Sequence, residues 1–256
     1  MKLPGTITMA LVLVAYAAKA QELSTVKDRM NTAALTLNEQ GVAETRIGRH
    51  AEAIELFKQT LEIEPEFAAA HNNLGATYNT LGRYDEALVF LTRAVRIKPD
   101  YAEAYYNLGV SYLKLCQYSN SVAAYRQAIR FHPNFSEAQN GLGVAYNNWG
   151  KREEAIRAYY EAIRMKADYP EAYNNLGTVF AELGRYKQAI VFFRRASELK
   201  PNWALPRFNL GVVFLQTNDR STAIAEYRIL TLMGDALADK LYADIYRGKV
   251  LMASNR

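Results

Sequence analysis

The side chains that could do chemistry in this chain of 256 residues suit binding rather than catalysis. Cys116 is the single cysteine, and His50, His71 and His132 lie far apart along the chain. Disulfide frameworks and zinc sites need pairs or clusters of such residues. A phosphate-binding loop, Gly-x-Ser-x-Gly and His-Glu-x-x-His are also missing from the sequence. We therefore predict no catalytic residue, no metal and no cofactor, and we expect that the chain is not an enzyme.

Four regularly spaced asparagines are the best candidates for contacts with a ligand. They keep a 34-residue spacing, with Gly141 in the one vacant place: Asn73, Asn107, Asn175 and Asn209. Because a side-chain amide both donates and accepts hydrogen bonds, a row of amides can hold a peptide backbone without reading its sequence. We predict that this asparagine ladder contacts an extended peptide. The alternative is a purely structural role.

The elements that position these asparagines repeat every 34 residues. Glycine recurs at this interval six times, at Gly41, Gly75, Gly109, Gly143, Gly177 and Gly211. We number each repeat from Ala34, Ala68, Ala102, Ser136, Pro170 and Ala204, which places these glycines at position 8. Positions 4, 7, 8 and 11 share one face of a helix. A glycine within a helix costs about 1 kcal/mol relative to alanine. We therefore expect a second helix to approach closely, with the small residue at position 20 as the partner.

The second repeat shows the full pattern most clearly. Leu-Gly at positions 7 and 8 and an aromatic residue at 11 precede small residues at 20 and 27 and a proline at 32: Leu74, Gly75, Tyr78, Ala87, Ala94 and Pro99. This pattern closely resembles the tetratricopeptide repeat, and the resemblance covers residues 34–235. It implies an all-α fold, a right-handed α-α superhelical solenoid of six helix pairs.

The turns between the two helices of each repeat follow the same spacing. Glycine stands at position 15 in four repeats, where a left-handed residue would end the first helix: Gly48, Gly82, Gly150 and Gly184. Asn218 is able to adopt that conformation in the sixth repeat. Cys116 should do so poorly, so we expect the third turn to differ.

Two segments outside the repeats are also predicted to contain helical structure. Residues 21–33 are expected to extend the first helix toward the N-terminus. Residues 236–256 are predicted to form a C-terminal helix and tail, since Leu237, Leu241 and Ile245 follow one another at intervals of four. We expect this helix to cap the end of the stack, and a partner-binding helix is the alternative.

The first twenty residues resemble an export signal. Residues 6–18 form an apolar run of thirteen, too short to cross a bilayer, which needs about 20 apolar residues. Ala18-Lys19-Ala20 supplies a cleavage pattern, and cleavage after Ala17 is the alternative. We expect export to the periplasm or cell envelope and no membrane span after cleavage. An uncleaved anchor or a cytosolic adaptor remain alternatives. Removing the segment lowers the formal charge from +5 to +3, so no nucleic-acid partner is predicted.

Positions 2, 6, 9 and 13 face away from the core of each first helix, and they carry small and apolar residues instead of a solvated, charged stripe. In tetratricopeptide-repeat proteins this face lines a concave peptide-binding groove, and the resemblance implies the same here. The asparagine ladder is also similar to that of the repeat domain in O-GlcNAc transferases. The predicted groove residues are Asn73, Asn107, Asn175, Asn209, Tyr106, Val110, Val144, Asn148, Phe208 and Val212.

These residues predict a protein-interaction scaffold that binds an extended segment of a partner protein. Four amide hydrogen bonds of about 0.5–1.5 kcal/mol each do not offset an association cost of about 4–15 kcal/mol, so apolar groove contacts must contribute. The alternative is an accessory subunit that docks onto a separate enzyme, such as a glycosyltransferase or an envelope hydrolase, through its outer or terminal surfaces. The sequence predicts no particular oligomeric state.

Overall fold

A computed structural model describes Lys19, Gln21 and residues 29–247, and residues 29–247 form thirteen α-helices without a strand. Helix α1 comprises residues 29–46. The others are α2 (His50–Ile63), α3 (Ala68–Thr80), α4 (Tyr84–Ile97), α5 (Ala102–Lys114), α6 (Tyr118–Phe131), α7 (Ser136–Asn148), α8 (Arg152–Met165), α9 (Pro170–Glu182), α10 (Tyr186–Leu199), α11 (Ala204–Gln216), α12 (Arg220–Leu232) and α13 (Leu237–Arg247). The all-α prediction of six helix pairs and a C-terminal helix is confirmed. Apart from Lys19, the predicted signal peptide lies outside the described residues.

The chain divides into two compact units, the first ending at Ser111 and the second beginning at Tyr112 within α5. In the first unit α3 packs against both α2 and α4. In the second unit each helix from α6 to α12 packs against the next along the chain. Both cores combine fully buried alanines with large apolar side chains, such as Phe57 and Leu91 in the first unit and Phe193 in the second.

The glycine at position 8 lies directly against a large side chain of the second helix. A Cβ atom added to Gly75 would lie 2.5 Å from Cγ of Leu91, and one added to Gly143 would lie 2.6 Å from Cε1 of Tyr159. Since carbon atoms cannot approach so closely, only glycine fits, and the predicted close approach is confirmed. Position 20 is not the main partner, as had been predicted. The nearest atoms belong to the large residue at position 24, and the backbone oxygen of Ala87, at position 20, lies 3.2 Å from the Cβ atom added to Gly75.

The last repeat uses a different partner for its glycine. A Cβ atom on Gly211 would lie 2.5 Å from Cδ2 of Leu241, which belongs to α13. Leu241 is fully buried, and α13 packs against both α11 and α12. The C-terminal helix therefore completes the core of the sixth repeat, as expected for a capping helix.

The turn inside each repeat is closed by a residue with a left-handed backbone. The φ angles at the four position-15 glycines lie between 70° and 80°, and those at Asn218 and Cys116 are 61° and 58°. The expectation that the third turn differs was therefore wrong. Gln117 N donates to Tyr112 O at 2.8 Å, the same bond that Arg83 N makes to Tyr78 O at 2.9 Å in the second repeat. Closing the helix in this way outweighs the strain of one non-glycine residue.

We predict that Cys116→Gly stabilises the protein. An L-residue in the left-handed region is strained where glycine is not, and the expected gain is about 0.5–1 kcal/mol after the greater backbone freedom of glycine in the unfolded chain is counted. The midpoint of urea denaturation measures it. Cys116→Ala is the matched control, because it removes the exposed thiol but keeps the strain. An equal gain for both variants would show that the backbone conformation is not the cause.

Candidate functional site

Six of the predicted groove residues lie at least partly at the surface, in two separate units. In the first unit, α3 and α5 hold four half-buried residues: Asn73, Tyr106, Asn107 and Val110. In the second unit, Val144 is half-buried and Asn148 is exposed on α7. These side chains are accessible to a ligand.

The other four predicted residues, on α9 and α11, are buried. Asn175 is 8% exposed, and Phe208, Asn209 and Val212 have no exposed surface. Packing of α13 against α11 accounts for the burial of Phe208, because the centre of its ring lies 5.1 Å from Nζ of Lys240 on α13. The structure therefore offers a ligand no access to the predicted groove side chains of the sixth repeat.

The asparagine ladder is paired with a second row of asparagines. Each member of the second row stands at position 5 of the preceding repeat. Each ladder amide nitrogen donates to a position-5 amide oxygen, at distances between 2.9 and 3.1 Å. The pairs are Asn73 with Asn38, Asn107 with Asn72, Asn175 with Asn140 and Asn209 with Asn174. The ladder thus joins the first helices of consecutive repeats within each unit.

Sequence reasoning missed this pairing, although the sequence carries a signal for it. An asparagine stands 35 residues before each ladder asparagine. Where position 5 is Tyr106 instead, the ladder position of the next repeat is Gly141. The two positions therefore change together, as expected if each asparagine serves the other.

Further hydrogen bonds connect the amides of the first unit into a network. Asn72 Nδ2 donates to Asn73 Oδ1 at 3.4 Å, and Asn79 Nδ2 donates to the backbone oxygen of Asn107 at 2.9 Å. Ser111 Oγ donates to Asn79 Oδ1 at 2.7 Å. Together with the pair of Asn73 and Asn38, these bonds link α1, α3 and α5 and satisfy polar atoms that packing removes from water.

In the second unit the corresponding network is incomplete. Asn174 Nδ2 and Asn209 Oδ1 are buried and have no hydrogen-bond partner among the described residues. Asn147 Oδ1, at position 12 of the fourth repeat, is in the same state. Three amide atoms in the second unit are therefore buried without a hydrogen bond.

The gap in the ladder at Gly141 is filled by an aromatic ring. A Cβ atom at this glycine would lie 2.6 Å from Cζ of Tyr125, a side chain of α6 that is 2% exposed. An asparagine at this place would collide with the ring. The groove face of α7 is consequently smooth and apolar at Gly141 and Val144, and it becomes polar at Asn148.

A cleft of about 440 Å³ lies at one edge of this face in the second unit. Its walls come from the ends of α5, α7 and α9 and the starts of α6 and α8: Leu113, Lys114, Cys116, Tyr118, Val144, Asn147, Asn148, Arg152 and Glu182. Two of these, Val144 and Asn148, belong to the predicted groove. Across the cleft Arg152 Nε lies 3.5 Å from an oxygen of Glu182.

Neither a metal site nor a membrane span is found within the described residues. No three His, Cys, Asp or Glu side chains in that part of the chain are placed to hold a metal ion together. None of its helices combines the length and the hydropathy that crossing a bilayer requires.

Comparison with protein families identifies the repeats. A model of the TPR repeat matches residues 77–115 and 149–184. One model of the tetratricopeptide repeat matches residues 102–135 and 170–202, and another matches residues 48–93. Together these matches cover more than half of the chain, so the chain belongs to the tetratricopeptide-repeat family. Tetratricopeptide repeats bind protein partners, and the fold is that of a protein-protein interaction scaffold. No functionally characterised protein matches the sequence significantly.

Several solved structures resemble this chain. The crystal structure of MamA is 27% identical, with a TM-score of 0.57 over 63% of this chain and 94% of its own. Pseudomonas aeruginosa pilF is 18% identical, with a TM-score of 0.71 over 84% of this chain and 99% of its own. The thermophilic TPR protein TTC0263 of Thermus thermophilus is 23% identical, with a TM-score of 0.60 over 72% of this chain and all of its own. The last two likenesses concern the fold alone.

The asparagine pairs lead to a prediction about stability. Asn107→Ala leaves the buried Oδ1 of Asn72 without its donor, so we expect a loss of about 1–2 kcal/mol in the free energy of unfolding. In the double variant Asn72→Ala/Asn107→Ala the loss should be smaller than the sum of the single losses, because the two side chains act as a pair. Urea denaturation measures all three variants.

Asn148→Ala is the matched control for this experiment. The Asn148 side chain is exposed, and its amide donates only within its own helix, to Val144 O at 2.9 Å. We expect a change within about 0.5 kcal/mol. Strictly additive losses at Asn72 and Asn107 would contradict the pairing.

Proposed function

We propose that this chain is a scaffold that binds an extended segment of a partner protein along the groove face of its first helices. The observation that carries the proposal is the accessible surface at positions 6 and 9 of α3, α5 and α7, where no residue is charged. In the first unit this surface includes Asn73, Asn107 and Val110, and in the second it includes Gly141 and Val144. A solvated helix face would instead be rich in charged residues.

The paired asparagines change how such a segment would be held. Each amide carries two N–H donors and two acceptor lone pairs. One donor of Asn73 and one of Asn107 are used between repeats, and further donor and acceptor capacity remains for a peptide backbone. The pairing also holds the amide planes in place before binding, which lowers the entropy cost of using them. Apolar contacts with Tyr106, Val110 and Val144 supply the remaining affinity in this proposal.

The proposed site of action is the periplasm or cell envelope. Support comes from the apolar run at residues 6–18 and the cleavage pattern at Ala18-Lys19-Ala20. A mature chain that begins at Gln21, identified by mass spectrometry of protein recovered from cells, is the expected result. An intact N-terminus would favour a cytosolic adaptor.

Charge introduced into the groove tests the binding proposal. Val110→Arg places a cation on the groove face of α5, and we expect recovery of crosslinked partner proteins from the source cells to fall about fivefold or more. Val89→Arg is the matched control, because Val89 is 67% exposed on α4, outside the groove face. Equal recovery with both variants would exclude the groove as the binding surface.

An exposed aromatic cluster supports a second candidate function, docking onto a separate envelope enzyme such as a glycosyltransferase or a hydrolase. The rings of Tyr242 and Tyr246 on α13 lie 4.5 Å apart and are 44% and 51% exposed. Leu232, at the end of α12, is 87% exposed. Exposed aromatic side chains of this kind are enriched in the energetic centres of protein interfaces.

Substitution of the two tyrosines tests docking. Deletion of α13 would remove the buried Leu241 and damage the core, whereas Tyr242→Ser/Tyr246→Ser keeps Leu241 and removes two half-exposed rings that contact Tyr227 and Arg220. If this surface docks an enzyme, the double variant should lose that enzyme from crosslinked complexes, while Val191→Ser, at a 62% exposed position on α10, retains it. Retention of every partner by the tyrosine variant would eliminate this second function.

A further inference from the structure

The second repeat has a histidine where the fifth repeat has a tyrosine. Both residues stand at position 4 and stack on the phenylalanine at position 23 of their own repeat. The ring centres of His71 and Phe90 are 6.1 Å apart, with 29° between the ring planes. Those of Tyr173 and Phe192 are 6.4 Å apart, with 30° between the planes. Because tyrosine makes the same stack, packing alone does not require a histidine in the second repeat.

The hydrogen bond of His71 determines which ring nitrogen carries the proton. Nε2 lies 2.9 Å from the backbone oxygen of Pro65, which can only accept, so Nε2 carries the hydrogen of the neutral ring. Pro65 is at position 32 of the first repeat, in the turn that leads from α2 to α3. The bond therefore joins the end of the first repeat to the first helix of the second.

The other ring nitrogen of His71, Nδ1, is buried and has no hydrogen-bond partner among the described residues. The residue as a whole is 9% exposed. Nδ1 is an acceptor in the neutral ring and becomes a donor in the charged ring. Protonation therefore creates a buried charge and a buried N–H without an acceptor, and both are unfavourable in a packed interior.

The charges around the ring compensate little for an added proton. Arg93 on α4 repels an imidazolium, and Glu66, in the turn before α3, attracts it. Glu66 already accepts a hydrogen bond from Arg93, which offsets its charge. Within the described part of the chain, α2 contributes no charge that acts on the ring. The ring borders a cavity of about 380 Å³, but Arg93 and Arg96 also line this cavity, so an imidazolium turned toward it meets like charge.

These surroundings place the pKa of His71 below its ordinary value of 6.5. Burial is the largest cause and Arg93 acts in the same direction, whereas the bond to Pro65 and the charge of Glu66 act in the opposite direction. The unfolded chain consequently binds the proton more readily than the folded chain. Stability is unaffected well above pH 6.5, declines as the pH falls through 6.5, and levels off below the folded-state pKa.

We infer that His71 is an acid-sensitive contact: uptake of a proton by its ring loosens the junction between the first two repeats and lowers the stability of the first unit. Histidine ordinarily changes its charge between about pH 5 and 8, and tyrosine does not. Helix α3 also carries Asn73, which donates to Asn38 on α1 at 3.0 Å, so α3 connects both repeats. The inference goes beyond the proposed function and does not depend on it.

Variants that copy other repeats test the inference on the full chain. His71→Tyr installs the aromatic pair of the fifth repeat, and His71→Gln installs the residue found at position 4 of the fourth repeat, Gln139. Urea denaturation is followed by circular dichroism at about pH 7.5 and about pH 5, on either side of the ordinary titration of histidine. The midpoint of the unmodified chain should fall on acidification, and the fall should be smaller in both variants.

His132→Gln is the matched control. The His132 ring is exposed and stacks on Phe135, with 5.2 Å between the ring centres. Because an exposed ring stays in contact with water in either charge state, this variant should show the same fall in the urea midpoint as the unmodified chain.

NMR titration of the imidazole resonances gives a second measurement that needs no variant. A midpoint below 6.5 is expected for His71. If the folded-state pKa is lower than that of the unfolded chain by one, acidification should raise the equilibrium constant for unfolding about tenfold. The two measurements must therefore agree in size.

Three results would each overturn the inference. The first is a His71 titration midpoint at or above 6.5. The second is an equal fall in the urea midpoint for the unmodified chain and both His71 variants. The third is an equal effect of His132→Gln and His71→Tyr. The NMR titration decides by itself if neither His71 variant folds.

Discussion

Close packing of the position-8 glycine against the large residue at position 24 is the contact on which the rest of each repeat depends. A Cβ atom at Gly75 or Gly143 would overlap the Leu91 or Tyr159 side chain, so the first helix can lie against its partner only where this side chain is absent. The helix spacing that results sets which faces are buried. Since a repeat protein is held together by contacts between sequential neighbours, one such contact repeated at each step establishes the whole core of a unit. At the last repeat Leu241 of α13 takes over this role.

The asparagine pairs are the polar counterpart of this packing. Helices that approach closely enough to bury position 8 also bring position 5 of one repeat within hydrogen-bonding distance of position 6 of the next, as at Asn72 and Asn107. The same amides line the groove face. In the proposed function, structure and binding therefore use the same residues, and a change that removes one of these amides also weakens the link between repeats.

Departures from the repeat pattern concentrate around the cleft of the second unit. Cys116 replaces the turn glycine of the third repeat, Gly141 replaces a ladder asparagine, and Val179 stands where an earlier repeat has the serine that completes an amide network. Two of these departures have a local energetic cost: backbone strain at Cys116, and an unpaired buried oxygen on Asn147 where Val179 replaces the serine. Positions that follow the pattern are explained by packing. Positions that break it, at a cost, are the ones where a selective function is to be sought.

The sequence alone determined the helix pairs, the turn positions and the need for close contact at position 8, because these depend on residues that recur every 34 positions and on local backbone preferences. It also placed the predicted groove residues of α3, α5 and α7 at positions that the structure leaves at least partly exposed. The tertiary structure decided what those residues touch. It showed a large side chain at position 24 against four of the glycines and Leu241 of α13 against Gly211, the pairing of the ladder with a second row of asparagines, and the burial of Phe208, Asn209 and Val212. Such outcomes depend on side chains from neighbouring repeats or from α13 meeting in space, and a period along one chain does not specify which side chains meet.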